Sequence, residues 1–164
     1  MTVYEGSIDG AGRRIAIVAA RFHGTVTARL VDGAELALRA RGVDEGDIDV
    51  AWVPGAFEIP FVARRLAASG RYQAVICLGV VVRGETMHFD LVAEGAADGI
   101  ARAARDTGVP VIFEVLAVDE LALAEARAGG AHGNRGWEAA ETALTMASLM
   151  DALPSAAGHE GVAT

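Results

Sequence analysis

The hydrophobic and polar positions of this chain divide it into short apolar runs separated by longer stretches with helical spacing. Four apolar runs, rich in β-branched residues, occupy Arg14–Ala20, Ile48–Val53, Ala74–Val82 and Val111–Leu116. Continuous apolar runs of this length are typical of strands whose two faces are both buried. Because helical stretches of crossover length follow the runs, we expect parallel strands joined by right-handed connections. The predicted fold is therefore an α/β three-layer sandwich, with a flavodoxin-like four-stranded parallel sheet and helices on both faces.

Local signals predict where the helices begin and end. The predicted helices start at a Thr25 or Thr27 cap, near Phe57, at His88, at an Asp119 cap and at an Asn134 cap. Gly42 and Gly108 follow the first and third helices, and glycine readily adopts the left-handed conformation that ends helices. The helix after Asp119 is expected to end at Ala128–Gly130. The last helix carries a predicted core-facing stripe, formed by Ala140, Leu144, Ala147 and Leu149.

The length and the lack of an internal linker indicate one domain. The chain has 164 residues, which suits a single sizeable core, and the predicted domain covers residues 13–151. Residues 1–12 are either a frayed terminus or an edge strand that pairs with a neighbouring subunit, and the pattern alone favours the frayed terminus. Residues 152–164 are small and polar, so we expect a disordered tail.

Composition narrows the classes of function. The formal net charge of −8 disfavours a broad nucleic-acid-binding surface, and no apolar run approaches the ~18 residues of a membrane span. The single cysteine, Cys77, lies within a predicted strand, which fits buried packing in a reducing cytoplasm. The chain contains no lysine, so a Schiff-base lysine is excluded, while arginine remains available to recognise phosphate. A mean hydropathy of +0.34 indicates apolar surface buried between subunits.

The segment Gly79–Asp90 is the strongest candidate for a functional site. An apolar strand ends at Arg83, and His88 then opens a long helical pattern. Strand-to-helix junctions present main-chain N–H groups and the positive end of a helix dipole, so anions bind there. Glu85 and Thr86 lie in the turn, whose N–H groups could hold one phosphate group. A histidine at this point can move protons near neutral pH.

The motifs of several cofactor classes are absent from the sequence. There is neither a Walker motif nor a GxGxxG motif after the first strand, so nucleoside triphosphates and dinucleotides are not expected. The four histidines (His23, His88, His132 and His159) lack the spacing of metal ligands. We therefore expect neither a metal site nor a site for a nucleoside triphosphate or dinucleotide.

Four residues outside that segment carry further candidate chemistry. Phe22 is either a residue at the rim of the core or a stacking platform. Glu58 either complements a helix dipole or accepts hydrogen bonds from ligand hydroxyls. Arg127 lies in the last turn of a predicted helix, where it interacts favourably with the final carbonyls. Arg135 lies in a first turn against the dipole, which favours an anionic or carbonyl-bearing ligand or an acid on a neighbouring subunit.

Several segments together resemble the lumazine synthase (6,7-dimethyl-8-ribityllumazine synthase) family. They are Ala20–Phe22, Val53–Pro60, Gly79–Asp90 with its Arg-Gly-Glu-Thr-x-His core, Gly108–Phe113, and Arg127–Gly129 followed by Gly133–Gly136. The segments occur in the order and spacing of that family, from about Arg13 to Met150. The ordered set is far more specific than any one of its motifs.

The resemblance implies a transferase of riboflavin biosynthesis that needs no cofactor and no metal. Its substrates would be 5-amino-6-(D-ribitylamino)uracil and 3,4-dihydroxy-2-butanone 4-phosphate. The primary amine of the pyrimidine would form an imine with the ketone. Phosphate elimination, ring closure and loss of water would follow and give 6,7-dimethyl-8-ribityllumazine.

By position, the resemblance also assigns roles to residues of this sequence. His88 would move the proton, and phosphate binding would involve Glu85, Thr86 and Arg127. The pyrimidine and its ribityl chain would contact Phe22, Ala56, Phe57, Glu58, Val80, Val81, Val82 and Phe113. The resemblance implies that Phe113 comes from the adjacent subunit. Arg135 and His23 are additional candidates.

Five positions depart from the common pattern of that family. Arg135 replaces the usual lysine, and Ala131 stands where many relatives have lysine. His23 replaces the usual asparagine, and Met87 often corresponds to proline or threonine. Glu114 follows Phe113 where a small residue is usual. A carboxylate near a phosphate-binding rim would repel the substrate, so we expect Glu114 to be unfavourable there.

The resemblance further implies assembly. Members form pentamers, and many pack twelve pentamers into a 60-subunit icosahedral shell. The short link Gly129–Gly133 resembles that of shell-forming members. In such an assembly residues 1–12 would add a strand to the sheet of a neighbour, and association with riboflavin synthase is a further expected partnership.

Three competing interpretations remain at this point. The chain could be a non-catalytic protein that binds lumazine or flavin, or a shell-forming protein of the same fold. It could also be a related enzyme that dismutates lumazine to form flavin. His88, Arg127 and Glu58 are all present, which favours the synthase.

Overall fold

A computed structural model describes residues 1–155 of the chain. Its strands and helices are, in chain order, β1 (Ile15–Ala20), α1 (Gly24–Ala40), β2 (Ile48–Val53), α2 (Ile59–Ala68), β3 (Ala74–Val82), α3 (His88–Thr107), β4 (Val111–Val118), α4 (Leu121–Ala126), β5 (Ala128–Gly130), β6 (Gly133–Asn134) and α5 (Arg135–Ala152). Short 3₁₀ turns at Glu45–Asp47 and Ala56–Glu58 precede β2 and α2.

Strands β1 to β4 form one parallel sheet in the order β2-β1-β3-β4. Helices α1 and α5 cover one face of this sheet, and α2 and α3 cover the other. The predicted three-layer sandwich with a flavodoxin-like parallel sheet is therefore confirmed.

Each face of the sheet has its own hydrophobic core because successive strand residues point to opposite sides. In β1, Ile15 and Ile17 join the core under α1 and α5, while Ala16 and Val18 join the core under α2 and α3. All six residues of β1 are fully buried. A polar side chain on either face of β1 would need a buried hydrogen-bond partner, which explains the unbroken apolar run.

Two predicted helix caps are wrong, and one is confirmed. Helix α1 begins at Gly24 behind His23, whose left-handed backbone replaces the expected threonine cap. Helix α4 begins behind Glu120, because the carboxylate of Asp119 accepts a hydrogen bond from Arg83 instead. Asn134 caps α5 as predicted, and its side chain accepts hydrogen bonds from the N–H groups of Gly136 and Trp137.

The region after β4 differs from the prediction. Strand β4 continues to Val118, two residues beyond the expected end, and α4 stops at Ala126. Residues predicted to finish that helix form β5, which pairs with β6 in an antiparallel hairpin. Gly129 and Gly133 in this hairpin have φ angles of 91° and 73°, which are left-handed conformations that favour glycine.

Residues 1–12 contain no strand within this chain. The N–H of Ser7 donates to Ser148 Oγ at 2.6 Å, and the N–H of Gly10 donates to the carbonyl of Arg41 at 2.8 Å. The second half of the segment therefore lies on α5 and the end of α1, whereas Val3 and Tyr4 are exposed. The predicted tail lies outside the described residues from position 156 onward.

The amino ends of the strands carry a hydrogen-bonded polar cluster. The hydroxyl of Tyr72 donates to Asp49 Oδ2 at 2.7 Å, and Arg14 Nη2 lies 3.5 Å from the same oxygen. The hydrogen bond lowers the pKa of the Asp49 carboxyl and raises the pKa of the Tyr72 hydroxyl. Polar groups therefore pair with one another at this end of the sheet.

Helices α1 and α5 approach closely because glycine lies at their contact. A Cβ atom at Gly136 would collide with the carbonyl oxygen of Leu30, and one at Gly33 would collide with the side chain of Asn134. The Nδ2 of Asn134 also donates to the carbonyl of Arg29 at 3.0 Å. Asn134 therefore caps α5 and fastens it to α1 at the same point.

We predict that Gly136→Ala destabilises the protein, although alanine is the better helix former by ~1 kcal/mol. The added methyl group must displace the α1 backbone, and overpacking of this kind costs about 1–3 kcal/mol. Urea unfolding at a fixed protein concentration would measure the loss. Gly46→Ala is the matched control, because a Cβ at Gly46 would meet no atom of residues 1–155 within 4 Å. Equal stability of the two variants would contradict the proposed contact.

Candidate active site

The two central strands deliver the chain to opposite faces of the sheet at their carboxyl ends. Strand β1 leads into α1 on one face, and its neighbour β3 leads into α3 on the other. Such divergence between adjacent parallel strands opens a crevice, and ligands of open α/β sheets bind in it.

A cavity of about 330 Å³ lies at this end of the sheet. Its lining consists of Phe22, Pro54, Gly55, Ala56, Phe57, Glu58, Val80, Val81, Val82, His88, Phe89 and Val92. Glu58 and His88 are the two ionisable side chains of this lining, and the remainder is apolar. An apolar pocket with a few convergent polar groups is the usual form of a small-molecule site.

Phe22 forms one wall of the cavity. Main-chain hydrogen bonds from Arg21 to Val53 (2.8 Å) and from Phe22 to Pro54 (3.1 Å) join the segments after β1 and β2. The Phe22 side chain is 68% exposed, so the structure excludes the core interpretation and leaves its ring free to contact a ligand. Its ring meets that of His23 edge to face, with centroids 4.7 Å apart.

His23 turns the chain between β1 and α1. Its φ of 56° and ψ of 39° place it in the left-handed region, and no other non-glycine residue within residues 1–155 has a positive φ. This conformation costs most residues roughly 1–2 kcal/mol, while asparagine tolerates it better than most. The asparagine usual at this position in the resembled family would thus suit the same turn.

The second wall comes from the turn Ala56–Glu58 and the start of α2. Two glycines of α3 let this wall approach closely, since a Cβ at Gly95 would lie 2.7 Å from the Phe57 ring and one at Gly99 would lie 2.7 Å from Pro60. The Glu58 side chain is exposed and makes no hydrogen bond or ion pair with the described residues. Its carboxylate is therefore available to a ligand.

The third wall is formed by Val80–Val82 and the first turns of α3. His88 is the first residue of α3, and its N–H donates to Thr86 Oγ1 at 3.3 Å. Glu85 and Thr86 are exposed and lie beside the cavity without lining it. Together, residues 84–87 form an exposed loop between the end of β3 and His88, and we call it the β3–α3 loop.

Arg83 joins both ends of the β3–α3 loop. Its Nε donates to Asp119 Oδ1 at 2.8 Å, and its Nη1 lies 3.6 Å from Asp90 Oδ1. The guanidinium carbon lies 4.4 Å from the centroid of the Phe89 ring. The pKa of Arg83 is raised, chiefly by the hydrogen bond to Asp119.

The structure separates Phe113 from the cavity of its own chain. Phe113 pairs with Cys77, whereas the cavity begins at Val80 and reaches Val82 on the neighbouring strand. The offset of three to five residues corresponds to about 10–16 Å along the sheet. Phe113 lies on the edge strand β4 and is 46% exposed, so its ring faces outward from this chain.

Arg135 pairs with Glu114 on this edge of the molecule. Arg135 Nε and Nη2 lie 2.8 and 3.4 Å from the two carboxylate oxygens of Glu114, and Nη1 lies 3.0 Å from Glu138. The hydrogen bond to Glu114 raises the pKa of Arg135. Two of the departures from the family pattern therefore meet in one bidentate ion pair, in which the planar guanidinium matches the carboxylate.

Arg127 lies next to Arg135. The N–H of Arg135 donates to the carbonyl of Arg127 at 2.8 Å, and the side chain of Arg127 donates from Nη1 to the carbonyl of Leu123 in α4. The contact with the end of α4 is the favourable helix-end interaction expected from the sequence. It uses one of five guanidinium N–H groups, and the other four have no partner among residues 1–155.

The described residues also limit the chemistry of the molecule. Within residues 1–155, no three His, Cys, Asp or Glu side chains cluster in a way that could hold a metal ion. Cys77 is fully buried, and burial raises the pKa of its thiol well above the usual range. No helix in this part of the chain is long and apolar enough to cross a membrane.

Comparison with models of protein families shows to which family the chain belongs. The family model for 6,7-dimethyl-8-ribityllumazine synthase matches residues 12–151 of the chain. The chain belongs to the 6,7-dimethyl-8-ribityllumazine synthase family. This family is one of transferases in riboflavin biosynthesis, and its members typically form oligomers.

As a member of the lumazine synthase family, the chain brings together most of the candidate residues predicted from its sequence. Eight of them line the cavity: Phe22, Ala56, Phe57, Glu58, Val80, Val81, Val82 and His88. The lining also includes Pro54, Gly55, Phe89 and Val92, which were not among the predicted site residues. Phe89 and Val92 face the same cavity as His88. His88 and Val92 are four residues apart in a predicted helix, so their spacing could have identified Val92 as a lining residue.

We predict that the left-handed turn at position 23 limits which residues are tolerated there. His23→Val should lower the free energy of unfolding by about 1–2 kcal/mol relative to His23→Asn, because a β-branched side chain is strained in this conformation. Urea unfolding of the two variants at equal protein concentration would measure the difference. Both substitutions remove the contact with Phe22, so the comparison isolates the backbone effect. Equal stability would contradict the assigned turn.

Proposed function

We propose that the protein is a 6,7-dimethyl-8-ribityllumazine synthase that condenses 5-amino-6-(D-ribitylamino)uracil with 3,4-dihydroxy-2-butanone 4-phosphate. The observation that carries this proposal is that the eight cavity residues implied by the family resemblance line one cavity. The cavity offers an exposed aromatic ring, an exposed carboxylate and a histidine around apolar walls. These features suit a planar heterocycle that carries a polyol chain.

In this proposal the pyrimidine ring stacks on Phe22 and meets the main chain of Val80–Val82. Aromatic stacking favours a flat ring, and main-chain N–H and C=O groups provide donors and acceptors for a uracil edge. Glu58 accepts hydrogen bonds from ribityl hydroxyls. Its lack of a partner among the described residues supports that role, because the carboxylate can accept them without first breaking an ion pair.

The phosphate group of the second substrate would bind at the β3–α3 loop. The loop precedes α3, a helix of 20 residues, and exposed N–H groups at a helix start attract anions. Glu85 would act through its main chain, since its carboxylate would repel phosphate. Thr86 adds a hydroxyl, and Arg127 adds a positive charge.

We further propose that Phe113 and Arg127 belong to the site of a neighbouring subunit. The strand register holds Phe113 about 10–16 Å from the cavity of its own chain, and β4 is an edge strand. A pentamer, and its assembly into a 60-subunit shell, would bring such an edge against a second copy. Residues 1–12 would pair with a neighbour there, which suits the exposure of Val3 and Tyr4.

The proposed reaction balances without an oxidant, reductant or cofactor. The 5-amino group attacks the ketone carbon, and loss of one water gives an imine. A proton then leaves the adjacent carbon, and the C–O bond to phosphate breaks to give an enol that becomes a methyl ketone. The ribitylamino nitrogen attacks this ketone, and loss of a second water closes the lumazine ring.

His88 is the group we assign to the proton transfer that accompanies phosphate loss. It lines the cavity, and its main chain bonds to Thr86 of the β3–α3 loop. A base in this position lies between the pyrimidine and the phosphate. The main-chain N–H groups that bind the phosphate and the imidazole that accepts the proton would thus act at neighbouring carbons of the same substrate.

We predict that purified protein supplied with both substrates forms fluorescent lumazine and releases one phosphate per product. Fluorescence and a phosphate assay would follow the two products together. Tight binding of added flavin without either product would favour a non-catalytic binding protein, and consumption of added lumazine with flavin formation would favour the dismutase. An assembled protein that does neither would leave only the shell-forming interpretation.

We predict that Arg127→Ala raises the KM for the butanone phosphate by about tenfold or more, because a charge-assisted contact contributes about 1.5–3 kcal/mol. The KM for the pyrimidine should change less than twofold. Steady-state kinetics with each substrate varied in turn would measure both constants. Arg39→Ala is a matched control, since Arg39 also lies in the last turn of a helix. Equal rises in both KM values would refute the assigned role.

A further inference from the structure

The β3–α3 loop has few stabilising contacts of its own. Residues 84–87 are all exposed, and the one side-chain hydrogen bond that the described part of the chain makes at the loop is that from the N–H of His88 to Thr86 Oγ1, at 3.3 Å. A short exposed segment with so few contacts opens easily unless groups outside it hold its ends. The groups that hold this loop are therefore important for any ligand that binds to its main chain.

One guanidinium group connects the elements on both sides of the loop. The main-chain N–H of Arg83 donates to the carbonyl of Val118 at 2.9 Å, so the arginine is fixed at the end of β3. Its side chain bonds to Asp119 just beyond β4 and lies near Asp90 in the first turn of α3. The same group packs over the ring of Phe89, which is 8% exposed.

The shape of arginine makes this arrangement possible. Its planar head can stack on a ring by one face while its edges donate to two separate carboxylates, whereas an ammonium group is a point charge. A single exposed ion pair contributes little to stability, but these contacts act together and limit the separation of β3 from α3. The four loop residues must then span a fixed distance.

The charges of this cluster indicate positioning rather than direct anion binding. Arg83 faces Asp119 and Asp90, so the three groups carry a formal charge of −1 together. Such a cluster would not attract phosphate by its net charge. The N–H groups of the loop remain available to the anion.

We propose that Arg83 is a positioning residue that holds the β3–α3 loop in the conformation in which its main-chain N–H groups receive the phosphate of the substrate. This inference rests on the proposed function. It adds a residue that does not touch the substrate but sets the geometry of the groups that do.

The test compares Arg83→Met, Arg83→Lys and a control, Arg102→Met. Methionine keeps much of the apolar length of arginine and removes its charge and its donors. Arg102 is an exposed arginine of α3 that pairs with Asp98, so the control removes one ion pair away from the loop. All variants are assayed as the full assembled chain.

Arg83→Met should raise the KM for the butanone phosphate about tenfold and that for the pyrimidine less than twofold. Amide hydrogen exchange in residues 84–87 should become several-fold faster, because the loop opens more often. Arg83→Lys should restore only part of both properties, and Arg102→Met should resemble the unaltered protein. A loss of stability alone would raise neither KM selectively.

Three outcomes would overturn the inference. They are unchanged exchange in the loop of Arg83→Met, equal rises in both KM values, and complete rescue by Arg83→Lys, which would mean that charge alone is sufficient. Failure of the proposed function is distinguishable. In that case the unaltered protein would show no turnover, while the difference in hydrogen exchange between Arg83→Met and Arg102→Met would persist and support the positioning role.

Discussion

The divergence of β1 and β3 to opposite faces of the sheet is the constraint on which the candidate active site depends. Both strands are buried on both faces, so neither can hold an exposed polar group along its length. Polar and exposed functional groups are therefore confined to the strand ends, where Phe22 and His88 lie. Because the strands are adjacent and parallel, these ends meet at one crevice. Turns after the strands form the walls, and the wall at Phe57 and Pro60 can lie close to α3 because α3 has glycine at the points of contact.

The parts of the fold predicted correctly are those specified by local sequence. Strand β3 and helix α3 have the predicted limits because burial, glycine and helical spacing all change at their ends. Asn134 is a correct cap since its Oδ1 accepts hydrogen bonds from N–H groups that lie two and three residues ahead. The caps at Thr25 or Thr27 and at Asp119 are wrong for different reasons. His23 adopts a rare backbone conformation, and Asp119 bonds to Arg83, which lies 36 residues away.

The candidate site was predicted mainly through the family resemblance, and physical reasoning alone reached only part of it. The hydrophobic pattern does not indicate that Val80–Val82 line the site, because residues proposed to act through the main chain have the same pattern as any buried strand. The role proposed for Arg83 cannot be predicted from local sequence, because it depends on carboxylates from two other elements. Phe113 could be separated from its own cavity only once the register of β3 and β4 was known. Long-range pairing and strand register arise in the folded molecule and cannot be predicted from the local pattern of one sequence.

Glu114, which was expected to be unfavourable near a phosphate-binding rim, is paired with Arg135 in the folded chain. Glu114 is 12% exposed, and Arg135 is the cationic partner found for it within residues 1–155, whereas Arg135 also contacts Glu138. Glu114 therefore relies on Arg135 to balance its charge, whereas Arg135 has a second acidic partner. A chain with Arg135 but a small residue at 114 would still have its cation paired with Glu138, while one with Glu114 and an uncharged residue at 135 would hold a largely buried charge without a partner among residues 1–155. The carboxylate at 114 therefore depends on a cation at 135, and the lysine usual at that position would keep the charge paired but could not make the bidentate contact.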